Sequence, residues 1–338
     1  MYSENRTIDE FQSRAPLEEV IDPELPIIDA HHHLWDIRPL KQSPTSLFQQ
    51  KVYLCEEIMR DINDCGHNIV QTVFAQCGAF YRADGLEEMQ VVGETEFVHG
   101  IAAMSRSGIY GDTRLCTGIF SAADMRGGQA VEPVLKAHML ASEYFRGVRT
   151  AFPSDLNKEF LEGFALLGKY NLSYDNWSPD FDRLPLLADL AKSNTDVTVI
   201  VNHLGGKINT EADSEEFARW QSCIQSVAEC PNTYIKLGGA QMRIGDWEPA
   251  YHMNQCETPL SSDEYLELLY PYYRHCIDAF GVERCMFESN FPVDRECISY
   301  RSLWNLFKRF AEKFGASEGD KQDLFSGTAS RAYRLNAT

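Results

Sequence analysis

Eight short runs rich in apolar and β-branched residues recur along this chain, at 27–33, 69–76, 115–122, 144–150, 171–175, 197–203, 233–238 and 284–290. Between them lie segments with the three-to-four-residue apolar spacing of amphipathic helices. Parallel strands need long crossovers, usually helical, so this alternation argues for a parallel sheet. Eight units in roughly 300 residues argue for an α/β chain closed into one (β/α)8 barrel domain. An open doubly wound sheet is the alternative, but no glycine-rich dinucleotide turn follows the first run. The expected organisation is an N-terminal arm over residues 1–25, loosely held because Pro16, Pro23 and Pro26 discourage a helix close to the first strand, and a barrel over 26–338.

Barrel chemistry collects at the C-terminal ends of the strands. The first run ends in three consecutive histidines, and period-two alternation puts Ile27, Asp29, His31 and His33 on one face and Ile28, Ala30 and His32 on the other. A lone histidine is more often a satisfied core residue, but His-x-His closing a buried strand aims two imidazoles at one point, as a divalent metal or a polarised carbonyl requires. The sixth run places Val199, Val201 and His203 on one face, with Gly205-Gly206 allowing a tight turn beyond it. The eighth places Met286, Glu288 and Asn290 together, with Asp294 a little further on. Glu288 is either a catalytic carboxylate, a metal ligand or a buried ion-pair partner of Lys236 or an arginine.

Other strand ends supply substrate-binding candidates. Gln76 ends the second run, and alternation from Phe145 through Gly147 points Arg149 to the mouth, where its fork suits a carboxylate or hydroxyl; a structural salt bridge is the alternative. Trp177, in Tyr174-Asp175-Asn176-Trp177, is a pocket wall or ordinary rim packing. Lys236 in the seventh run faces inward or snorkels to solvent. The aromatic connection through Arg243, Trp247, Tyr251 and His252 reads as a lid or specificity loop, with Arg243 a further substrate contact.

Three stretches in this order, Ile28-Asp29-Ala30-His31-His32-His33-Leu34-Trp35-Asp36, Val201-Asn202-His203-Leu204-Gly205-Gly206 and Cys285-Met286-Phe287-Glu288-Ser289-Asn290-Phe291-Pro292-Val293-Asp294, resemble the amidohydrolase superfamily. The resemblance is to its branch of TIM-barrel hydrolases that includes 2-pyrone-4,6-dicarboxylate lactonase and the sugar-acid lactonases, and it runs from about residue 26 to the end. It implies a site in which His31, His33, His203 and Glu288 hold one divalent metal, zinc being the first candidate, or act without metal. His203, Glu288, Asn290 and Asp294 are then the catalytic candidates, and the reaction is hydrolysis of a lactone from aromatic- or sugar-acid metabolism. The same superfamily contains metal-dependent aromatic-acid decarboxylases, which is the alternative enzyme reading; a non-catalytic barrel that binds a small ligand is the alternative outside enzymology. The chain departs from the pattern where an aspartate ends the eighth strand: Asn290 stands there, and an amide is no general base. No lysine marks the end of the fourth strand, which argues against a two-metal centre.

The charge balance, 31 Lys and Arg against 50 Asp and Glu for a formal −19, argues against nucleic acid or an anionic membrane as partner, though not against a small carboxylate held in a cleft. The ten cysteines show no Cys-x-x-Cys pair and read as reduced core residues. With no apolar leader-like run at the start, a cytoplasmic protein is expected, as monomer or homo-oligomer.

Overall fold

The computed structural model describes residues 7–38, 48–207, 212, 214–240, 253 and 256–336. Its eight long-sheet strands are β1 (Ile27–His32), β2 (Ile69–Phe74), β3 (Arg114–Ser121), β4 (Phe145–Ala151), β5 (Ser173–Trp177), β6 (Val199–Val201), β7 (Thr233–Leu237) and β8 (Cys285–Phe287). They pair in parallel in chain order. The ring closes just past β8, where the Asn290 N–H donates to His31 O (2.8 Å) and the His33 N–H to Phe291 O (2.7 Å). This is the expected (β/α)8 TIM barrel.

A helix follows each strand: α1 (Cys55–Cys65), α2 (Val92–Arg106), α3 (Glu132–Ala141), α4 (Lys158–Lys169), α5 (Leu184–Ser193), α6 (Glu215–Ala228), α7 (Ser262–Phe280) and α8 (Tyr300–Phe314). Their starts are written in the sequence. Asn157, Ser214, Ser261 and Ser299 each accept a backbone N–H of the first turn, and Glu264 completes a capping box with Ser261. β6 and β8 are shorter than the apolar runs that announce them, because the chain turns at His203 and Asn290, both with positive φ.

Two apolar layers result. The larger lies between strands and helices. The smaller fills the barrel's lower end, where Ile28, Ala30, Val73, Phe120, Ile200 and Met286 meet Ala329, Ala332, Tyr333 and Leu335 from the closing helix α9 (Thr328–Tyr333) and the residues after it. Gly118 of β3 makes room for this plug, since a Cβ there would stand 3.1 Å from Leu335. The described part of the N-terminal segment is tied down rather than loose. Gln12 donates to Arg295 O (2.6 Å), Glu18 accepts from the Ser262 N–H (2.8 Å), and the Ile21 N–H donates to Asn305 (3.0 Å). It thus straps α7 and α8. Among the described residues no two cysteines form a disulfide, and no helix is long and apolar enough to cross a membrane.

Candidate functional site

Strict alternation fails in β1, and the failure builds the site. Pairing with β2 shifts register between Asp29 and His32. Ala30 faces the barrel interior, yet His31 faces inward too, with Nδ1 3.0 Å from Lys236 Nζ. His32 turns outward to Thr72 Oγ1 (2.8 Å). The expectation that Asp29 shares a face with His31 is therefore corrected. Asp29 lies on the outer side, accepting from the Ser289 N–H (2.8 Å), the Ser289 hydroxyl (2.6 Å) and the Tyr300 hydroxyl of α8 (2.8 Å). Burial lifts its carboxyl to about 6 despite these bonds. Its role in this arrangement is to tie β1 to the segment that follows β8.

His203 also arrives by a route alternation does not describe. β6 ends at Val201, and His203 and Leu204 adopt φ of 51° and 58°. This left-handed turn swings the imidazole to Glu288, Nδ1 to Oε1 2.7 Å. Two glycines after β7 leave the space: a Cβ on Gly238 would sit 2.4 Å from Glu288 Cγ, and one on Gly239 2.2 Å from His203 Nδ1.

His31, His203 and Glu288 form one buried cluster whose donor atoms all lie within 4.8 Å of one another. Glu288 Oε2 is 3.0 Å from His31 Nδ1 and 4.0 Å from Lys236 Nζ, but accepts no well-directed hydrogen bond. His33 joins from the side, its Nε2 3.2 Å from His31 Nε2 while its Nδ1 is held by Ala75 O (2.8 Å). Burial, reinforced by Lys236, keeps His31 well below the ordinary imidazole value; burial and Arg149 do the same for His33. Neutral imidazoles are the ligating form. Burial pushes the Glu288 carboxyl up to about 7 against the pull of Lys236 and Arg149. Two imidazoles, a carboxylate and an under-bonded buried carboxylate oxygen are a donor set that fits one divalent cation of the zinc type.

The other candidates fall into four groups. Arg149 is buried beside the cluster, donating from Nε to Asn202 Oδ1 (2.9 Å) and from Nη1 to Gln76 O (2.7 Å), with its guanidinium 5.9 Å from the centre of the Trp177 ring. Gln76 contributes its backbone oxygen there, while its side chain donates to Tyr81 Oη (3.3 Å). Lys236 lies completely buried beneath His31, 2.8 Å from Asp175 Oδ2. Asn290 donates its amide to Asp294 Oδ1 (2.8 Å), and both are buried outside the three-group cluster. Arg243 and the loop through Trp247, Tyr251 and His252 lie outside the described residues.

Asp175, Asn202 and Glu94 are buried polar residues that the sequence did not single out. Asp175 had a usable signal, because alternation from Trp177 sends it inward. Asn202 had one too, as the residue before a candidate histidine. Glu94 had none, being one acidic residue in a helix; it is fully buried and accepts the N–H groups of Cys77, Gly78 and Ala79 at 3.1, 2.8 and 3.0 Å and the Ser121 hydroxyl at 2.9 Å.

Comparison with known proteins bears on this geometry. A family model described as Amidohydrolase matches residues 28–335. The uncharacterized protein y4mH of Sinorhizobium fredii is 29% identical over 337 residues, covering 92% of this chain and 99% of its own. An L-fucono-1,5-lactonase of Burkholderia multivorans is 28% identical over 145 residues, 40% of this chain and 43% of that enzyme. Among solved structures, an amidohydrolase of Burkholderia multivorans with bound zinc superposes with a TM-score of 0.69 at 22% identity, covering 92% of this chain and 99% of that one.

Proposed function

The chain belongs to the amidohydrolase family, and on that premise we propose that its barrel mouth hydrolyses a cyclic ester, a lactone derived from an aromatic or sugar acid. The observation that carries the reading is the buried cluster of His31, His203 and Glu288 with Arg149 beside it. His31, His203 and Glu288 would hold one divalent cation, which supplies Lewis-acid polarisation of a carbonyl or of a water when bound. His33 adds a third imidazole at the same mouth.

The remaining steps belong to the chain's own groups. Arg149, fixed by Asn202 and by Gln76 O, presents its remaining N–H donors to a substrate carboxylate or hydroxyl, with Trp177 as the adjoining wall. Water adds to the lactone carbonyl carbon, its proton passing to a carboxylate: Glu288, whose affinity for a proton is raised into the neutral range, or Asp294 behind Asn290. The oxygen on which negative charge develops would be stabilised at the face lined by His31, His33 and His203, through the cation they would hold. The ring C–O bond then breaks, and the proton returns to the departing oxygen.

The test is turnover on a panel of lactones by protein purified without added metal, before and after chelation, with His203→Ala and Glu288→Gln alongside and metal measured by elemental analysis. We expect about one zinc per chain, activity lost on chelation and restored by metal, and a fall of at least ~100-fold in kcat for both variants. Full turnover by both variants would overturn the mechanism; release of carbon dioxide from a carboxylate substrate would replace hydrolysis by decarboxylation.

A further inference from the structure

At the opposite end of the barrel from the histidines, two arginines share one open pocket of about 300 Å³. Arg146 comes from the start of β4 and Arg334 from just past α9, and Ser142, Glu143, Tyr170 and Asn171 complete the part of the wall that matters here. Both arginines are half-buried, and their satisfied donors go to neutral oxygens alone. Arg146 Nη1 donates to Glu143 O (2.6 Å) and Phe145 O (3.2 Å); Arg334 donates from Nη1 to Ser173 Oγ (3.1 Å) and Ala332 O (3.3 Å) and from Nη2 to Arg146 O (3.0 Å). Arg146 Nε is buried with no hydrogen-bond partner. The acidic side chain on the same wall, Glu143, stands 3.9 Å from Arg106, and neither Arg146 nor Arg334 forms an ion pair with a carboxylate among the described residues. Burial and the Arg146 charge together hold Arg334 below its ordinary value.

Two adjacent cations without a directly paired carboxylate, Glu143 acting on Arg146 only at longer range, are costly to keep, the more so when a buried N–H is left unsatisfied. In a chain of net charge −19 a carboxylate partner would be easy to supply. We propose that this pocket is a binding site for a phosphoryl oxyanion, held between the unused donors of Arg146 and Arg334. Two guanidinium forks approaching from different elements suit a tetrahedral, multiply charged anion; a planar carboxylate is saturated by one fork. Bound there, the anion joins the start of β4 to the C-terminal segment. That segment plugs the barrel and carries Tyr333 to within 3.4 Å of Asp175. The site is independent of the reaction at the mouth.

The test is thermal unfolding of the full chain in about 10 mM inorganic phosphate, or glycerol 3-phosphate, against sodium chloride of equal ionic strength. Saturation roughly tenfold over the dissociation constant raises Tm by about 2–4 °C. We expect that rise in the wild type and in Arg106→Gln and Arg149→Gln, and its loss in Arg146→Gln and Arg334→Gln. Isothermal titration with phosphate at 25 °C provides a second reading, in which Arg334→Lys, keeping charge but losing the fork, binds about tenfold more weakly. Stabilisation by both ligands supports a terminal phosphoryl group as the recognised unit, and by phosphate alone a free anion. Phosphate no better than chloride, a rise that survives in Arg146→Gln and Arg334→Gln, or a rise abolished by Arg149→Gln, which would move the anion to the barrel mouth, would each overturn the proposal.

Discussion

Lys236 Nζ lies 2.8 Å from Asp175 Oδ2, and both side chains are completely buried beneath the histidines of the barrel mouth. Taking two charges out of water costs several kcal/mol per ion, and their attraction offsets this only with further hydrogen bonds. Here His31 Nδ1 faces the ammonium at 3.0 Å and the Tyr333 hydroxyl faces Asp175 Oδ1 at 3.4 Å. Removing one partner strands the other charge. We expect Lys236→Met to cost about 3–5 kcal/mol, and the double variant Lys236→Met/Asp175→Leu to regain most of it. Urea unfolding measures both, and a double variant as unstable as the sum of the singles would refute the coupling.

Glu94 makes stability depend on pH in an unusual direction. Burial raises its carboxyl to about 7, against an ordinary value of 4.5, although four donors favour the anion. The folded chain therefore holds this proton where the unfolded chain has lost it. The associated stability is fully present below pH 4.5 and is lost as pH rises to about 7, levelling off above. A difference of that size integrates to about 3 kcal/mol. Glu94→Gln keeps an acceptor for the backbone N–H groups and does not titrate. The stability of wild type relative to this variant should fall by about that amount between pH 4.5 and 8; a flat difference would mean that Glu94 stays ionised throughout.

These residues also mark how far the sequence could be read. The barrel was legible because β1 and its seven counterparts are buried, and buried parallel strands are written as near-continuous apolar runs between capped helices. Lys236 and Glu288 followed from period two, since β7 and β8 are regular up to them. Asp29 and His203 did not, because a register shift and two left-handed residues are tertiary choices with no composition of their own. The C-terminal plug was equally hidden: residues 329–335 carry ordinary helical spacing, and only Gly118 across the barrel records that Leu335 lies inside. Arg146 and Arg334 are 188 residues apart, and nothing local announces their meeting.

Arg149 tests the substrate side of the proposed reaction. Burial lowers its guanidinium to about 10, so it stays charged at neutral pH, and Asn202 and Gln76 O fix its plane. A lysine keeps the charge but loses the fork. We expect Arg149→Lys to raise KM roughly tenfold or more on a carboxylate-bearing lactone while kcat falls less. An unchanged KM together with an unchanged kcat would place the substrate elsewhere; an unchanged KM with kcat and kcat/KM falling equally would make Arg149 a transition-state contact.

Gly239 offers a separation of strain from chemistry. Its φ is +63°, and an added Cβ would lie 2.2 Å from His203 Nδ1; Gly315, at the end of α8, has φ +82° with nothing within 4 Å of the added atom. Alanine at either position takes on the left-handed backbone cost of about 1 kcal/mol. Only at 239 must something else give, and the movable group is the imidazole that meets Glu288 at 2.7 Å. We therefore expect Gly315→Ala to lower Tm by a few degrees with kcat unchanged, and Gly239→Ala to lower both, with kcat down about 100-fold as His203 leaves its position. Elemental analysis adds a second readout, because displacing His203 removes one of the three clustered donors and should weaken zinc retention. A Gly239→Ala protein with full activity and full metal content would mean that His203 works from a position other than the one it holds beside Glu288.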